Sequence, residues 1–176
     1  MRKSYNGLFL AMSALVVLGL AVLPACKKTP NEKMAENMME RALEKATGQK
    51  TNVDLAGGKV RIQGEGGERG EIEFAGAKWP EDLPEGVLRF EDGKIKGVTR
   101  GERPDGKSWM VMLENVKPES LSQYVEALKA EGWTVPMNMT MDKGGMFQAE
   151  KEKVAIIGTF NNEEKICSLN IMLRND

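Results

Sequence analysis

The chain has 176 residues, 25 of them basic and 26 acidic, with two cysteines and no histidine. Lacking histidine, it has no Ser-His-Asp or Cys-His catalysis and no histidine-bearing zinc or copper site. Its near balance of charge excludes the basic footprint of a nucleic-acid-binding protein.

Arg2 and Lys3 form a cationic head, and the sixteen residues from Leu8 to Leu23 are apolar apart from Ser13. A positive head, an apolar stretch of about 15 residues and a small residue at its end describe a secretory signal. The run is shorter than the 18 or more apolar residues expected of a membrane span. Pro24 breaks the helical pattern just before Ala25 and Cys26. The stretch Leu23-Pro24-Ala25-Cys26 resembles the bacterial lipobox, with a hydrophobic residue three before the cysteine and a small one directly before it. That resemblance implies cleavage after Ala25, a diacylglycerol on the Cys26 sulfur and acylation of the new amino group. Residues 1–25 are therefore expected to be a lipoprotein signal peptide and 26–30 a lipidated tether.

A single acyl chain holds a protein only marginally, at about 0.8 kcal/mol per buried methylene, whereas two or three hold it firmly. Lys27 and Lys28 would lie at the headgroups, where each base gains about 1 kcal/mol from anionic lipid. Because lysine rather than aspartate follows the cysteine, the lipobox resemblance implies the periplasmic face of the outer membrane. Removing residues 1–25 takes away two of the 25 bases and no acid, so 23 bases face 26 acids, a net charge of −3. With Cys26 acylated, Cys167 has no disulfide partner, and it is expected to be a small buried apolar residue.

Residues 31–75 read as an N-terminal helix followed by hairpins. Asn31 suits a helix cap. Ala35, Met38, Met39, Ala42, Leu43 and Ala46 recur at helical spacing as one apolar stripe, expected to pack on its own domain. Glu36, Glu40 and Glu44 share another face and are expected to be solvated, and Gly48 stops the helix. From Thr51 the period becomes two. Val53 and Leu55 pair with Val60 and Ile62 around Gly57-Gly58, and Ile72 and Phe74 form a third short strand. The glycines of "GEGGERGE" are turn residues, since no Gly-Lys-Ser/Thr and no helix follows them.

Residues 76–90, with two prolines and no periodicity, form a connector that Trp79, Leu83 and Val87 can pin to the body. Residues 91–176 then read as an α+β core domain. Strands at 94–100 and 108–116 flank the turn "GERPDGK". A helix follows, begun by Pro118 and carrying Leu121, Tyr124, Val125 and Leu128 on one stripe. Strands at 146–150, 154–160 and 165–173 complete the core after "MNMTM" and the turn "DKGG". The expected fold is an antiparallel meander sheet with a helix packed on one face, a ββαβββ core. Cys167, Leu169, Ile171 and Leu173 share the inner face of its last strand.

The segments "KATGQKTNVDLAGGKVRI", "GAKWPEDLP", "DGKIKGVTRG" and "YVEALKAEGW" resemble a family of uncharacterised bacterial lipoproteins. The resemblance covers most of the mature chain and implies the α+β fold and the membrane location. Its motifs are turn and core residues, and it implies no activity.

Chemistry-bearing patterns are few. The chain contains no Cys-x-x-Cys and no Asp-x-Asp-x-Asp-Gly calcium loop. Met137, Met139 and Met141 alternate, so on a strand their thioethers point the same way. Soft thioethers suit Cu(I), while the simpler outcome is packing or an exposed apolar contact surface. The expected function is a non-enzymatic, lipid-anchored binding or structural module with an envelope protein partner, no cofactor and no nucleic acid. The alternatives are a Cu(I)-handling protein using those three methionines, or a hydrolase built on paired carboxylates.

Overall fold

The computed structural model describes residues 30–64 and 67–175. Its elements in chain order are α1 (Pro30–Thr47), β1 (Lys50–Asp54), β2 (Lys59–Gln63), β3 (Arg69–Glu73), β4 (Lys94–Arg103), β5 (Gly106–Glu114), α2 (Pro118–Ala130), β6 (Thr134–Met141), β7 (Gly144–Lys151), β8 (Val154–Asn161) and β9 (Ile166–Arg174). All nine strands join one antiparallel sheet in the order β1-β2-β3-β4-β5-β9-β8-β7-β6. The expected α+β class, antiparallel meander and N-terminal helix with hairpins are all present.

Two details differ from the sequence reading. "VPMNMTM", which was expected to lead into a turn, belongs to a strand of its own, so four strands rather than three follow α2. The turn after β4 is Pro104-Asp105 alone, because β4 and β5 pair out to Arg103 and Gly106. Gly106, opposite Arg103 and Arg174, continues the ladder through the end of "GERPDGK".

The hydrophobic alternation changes phase between β3 and β4, and this fixes where each helix lies. In β4 to β9 one register row runs Val98, Val111, Leu169, Gly158 and Phe147. That face packs beneath α2, through Leu121, Tyr124, Val125 and Leu128, and beneath the connector residues Trp79, Leu83 and Val87. In β1 to β3 the buried Val53, Val60 and Ile62 point the other way, against Met39 and Leu43 of α1. The two helices therefore cover opposite faces of one sheet. Each is followed by an edge strand and a meander, so the chain uses the helix-then-meander plan twice. Both helices give way to a glycine with positive φ, Gly48 and Gly132, where a Cβ would be strained.

Of the six residues of the α1 stripe only Met39 and Leu43 pack, while Ala35, Met38, Ala42 and Ala46 are exposed. The three glutamates were expected in solvent and are not idle. Oε1 of Glu36, Glu40 and Glu44 accepts the backbone N–H of Leu55 (3.0 Å), Val53 (2.8 Å) and Thr51 (3.2 Å) respectively. These are outward-pointing donors of edge strand β1 and of Leu55, the residue that follows it. Four helical residues rise about 6 Å and two strand residues about 6.7 Å, so a glutamate every four residues meets an N–H every two. The ladder closes one edge of the sheet, the site at which an unpaired strand would recruit another chain.

Candidate functional site

The uncovered part of the sheet is the α1-side face of β5 to β9. Of the twelve methionines in the chain, the seven that follow α1 all lie on it: Met110, Met112, Met137, Met139, Met141, Met146 and Met172. Each alternates with a residue of the α2-side face or opposes a member of this set. One row reads Met112, Ser168, Thr159, Met146 and Met139 across five strands. The next reads Met110, Asn170, Ile157, Gln148 and Met137. None of these ten residues is charged. Glu114, Glu150 and Arg174 lie only at the margins of the face.

An antiparallel sheet with one wet face ordinarily carries charged and polar residues there. A charge-free centre with methionine as its main apolar component is a departure that marks contact surfaces. Five of the seven methionines are half-buried by their neighbours, whereas Met139 and Met141 are 44% and 56% exposed. Among the described residues no methionine is fully buried, and Met39 of α1 packs at the margin of the smaller core. On the open face the unbranched thioether can adapt to an irregular or variable partner. No described element packs over this face.

Sequence alternation placed Met137, Met139 and Met141 on one side of a strand, and they do share it. What alternation did not reveal is the company they keep. Met139 opposes Met146 directly, with Cβ atoms about 5 Å apart in such pairs. Met110, Met112 and Met172 join through the β5–β9 pairing, which links residues about sixty positions apart in the chain. No local pattern carries that information.

A second concavity, about 760 Å³, lies on the other face over β1 to β5 and is lined by Arg61, Arg69, Glu71, Asp82, Arg100 and Lys107 among others. Its charges are largely engaged with each other. Arg61 pairs with Glu71 at 2.8 Å and Arg100 with Glu73 at 3.3 Å and Asp82 at 3.2 Å. Asp82 also accepts the Trp109 indole N–H at 2.9 Å, which clasps the connector to β5. Burial pushes the Asp82 carboxyl up, but the Trp109 and Arg100 hydrogen bonds outweigh it and hold the group below 3.8. The arrangement is that of a structural clasp between sheet and connector.

Among the described residues, no group of three or more His, Cys, Asp or Glu converges as a metal site. Cys167 is fully buried in the main core, and burial pushes its thiol up to about 12. Cys26, the expected lipid attachment, lies outside the described residues. No family model, curated protein or solved structure matches the chain.

Proposed function

We propose that the protein is a non-enzymatic binding module of the bacterial cell envelope, anchored through lipid on Cys26, that offers the methionine face of β5 to β9 to an apolar partner. The observation that carries the reading is the gathering of methionine: all seven that follow α1 lie on one open sheet face with a charge-free centre, and among the described residues none is fully buried. The lipobox-like Leu23-Pro24-Ala25-Cys26 supports the anchor, and the ordinary net charge supports an apolar rather than an ionic mode of recognition.

The two parts are tested separately. Cys26→Ser abolishes incorporation of a fatty-acid analogue in growing cells, and undiminished label in that variant ends the lipoprotein reading. For the face, an anilinonaphthalene-type dye reports apolar contact. Met112→Glu with Met146→Glu lowers dye affinity at least tenfold while the far-ultraviolet dichroism is unchanged. Equal dye binding by parent and variant removes this face as the contact surface.

A second reading has one specific observation in its favour. Met139 and Met146 oppose one another, with Met137 two residues along, so thioethers from two strands can approach a Cu(I) ion more closely than three on one strand. Cu(I) titration of the parent and of Met146→Leu separates the readings, since only a copper site loses affinity with the thioether.

A further inference from the structure

We infer that the outer face of α1 is a membrane-surface helix that lies on an anionic bilayer; the inference rests on the lipid-anchor reading above. The first observation is how the helix distributes its charges. All four acids, Glu32, Glu36, Glu40 and Glu44, fall on the side toward the sheet, and three of them accept hydrogen bonds from β1. The opposite side is left cationic. Met34, Met38, Arg41 and Lys45 fall within about 60° of one another at 3.6 residues per turn, and all four are exposed.

The second observation is apolar exposure. Met34 and Met38 are 64% and 68% exposed, the highest values among the exposed large hydrophobic residues described. They lie one turn apart near the start of the helix, with the exposed Ala35 and Ala42 beside them. No carboxylate pairs with Arg41 or Lys45 among the described residues. Apolar side chains next to unpaired bases form the pattern of a helix that beds in the headgroup region.

The third observation is reach. Pro30 opens the helix four residues after Cys26, a tether of at most about 14 Å when fully extended. A lipid on Cys26 therefore keeps Met34 within about 20 Å and Met38 within about 26 Å of the anchored sulfur even with the tether fully extended, so a shorter path of the tether lets both reach the bilayer surface. With the helix laid on the surface, Arg41 and Lys45 come within a Debye length of an anionic leaflet, where basic residues are attracted to it. The β1 edge draws the helix's acids inward, and this leaves a face without the negative charge that an anionic membrane would repel.

The test uses the acylated protein in vesicles containing phosphatidylglycerol, with a single cysteine at Met38→Cys or at Glu163→Cys. Glu163 lies in the β8–β9 turn, six strand spacings or about 29 Å from β1. Buried Cys167 stays silent to a membrane-impermeant thiol reagent. Each labelling rate is divided by that of the same variant made without lipid, from Lys27 onward, a chain that contains every described element. The expected result is at least fivefold protection at position 38 and none at 163. Adding Arg41→Glu with Lys45→Glu reduces protection at 38 to less than twofold, although the protein still floats with the vesicles. Equal ratios at 38 and 163 with flotation intact overturn the inference and leave the anchor standing. Loss of flotation by the parent protein overturns the anchor, and the inference falls with it.

Discussion

The Glu40 carboxylate accepts the backbone N–H of Val53 at 2.8 Å, across a helix-to-strand boundary thirteen residues long. It is the middle rung of three, and it places a helix where a tenth strand would otherwise pair. Sheet edges are usually protected by charge, proline or a bulge. The opposite edge, β6, uses the last two, with Pro136 and a register shift between Thr134 and Met137. Carboxylates on α1 serve the first edge.

Replacing Glu40 by Ala leaves the Val53 donor without its acceptor, and such a loss costs about 1–3 kcal/mol. Glu40→Gln keeps an acceptor oxygen and costs less. Urea midpoints at constant m-value measure both. A Glu40→Ala midpoint equal to that of the parent would show that water satisfies the edge as well as the glutamate does.

Asp92 substitutes for a missing local cap. Lys117, the residue before α2, makes no side-chain cap bond, and Asp92 Oδ2 instead accepts the Lys117 N–H at 2.8 Å and the Ser120 hydroxyl at 2.5 Å. The Ser120 hydroxyl and the Lys117 N–H together hold the Asp92 carboxyl below 3.8. A depressed carboxyl stabilises the fold above its unfolded value and loses that contribution as pH falls through the folded value. The stability difference between parent and Asp92→Ala is then about 1 kcal/mol, typical of a cap. It is constant above about pH 5 and shrinks as pH falls below the unfolded carboxyl value and through the lower folded one. Denaturation at several pH values reads it, and a gap that widens on acidification contradicts the assignment.

Gly158 makes room for Phe147, its register partner in the core. A Cβ at 158 would lie 2.0 Å from Cε1 of that ring, which is fully buried. Gly158→Ala therefore forces the ring off its position and destabilises by about 1–3 kcal/mol, as overpacking does. Adding Phe147→Leu relieves the clash and makes the pair less destabilising than the sum of the single changes. Strict additivity in that double-mutant cycle would deny the contact.

Cys167 resists an aromatic disulfide reagent at pH 8 in the folded protein, because burial raises its thiol to about 12 and removes access. Labelling follows global unfolding as denaturant is added. Prompt reaction in the native state would mean that the last strand is slipped by one residue, since a slip exchanges the faces.

Mild peroxide distinguishes surface methionine from core. Sulfoxide formation at Met34, Met38, Met139 and Met141, the exposed large hydrophobic residues, makes an apolar side chain polar. The oxidised protein keeps its dichroism and cooperative unfolding but loses dye binding to the sheet face. Unfolding on oxidation would place methionine in the core after all.

Periodicity in the sequence was enough to place both helices, the β1–β2 hairpin, the connector and the inward stripe of β9, because each depends on residues a few positions apart. Gly48 marked the end of α1 for the same local reason. The sequence also showed that Met137, Met139 and Met141 share a side. It did not show β6 as a strand, since the apolar side of "VPMNMTM" turns to solvent and Pro136 interrupts its pattern. Nor could it assign Glu36, Glu40 and Glu44, because an i, i+4 series of acids looks the same whether it faces water or an unpaired strand. Tertiary structure decided both. Antiparallel pairing of β5 with β9 gathered methionines from four segments onto one face, and the phase change between β3 and β4 sent the helices to opposite sides. Those outcomes depend on which distant strands pair and in what register, a choice set by burial of the whole sheet rather than by any window of the chain.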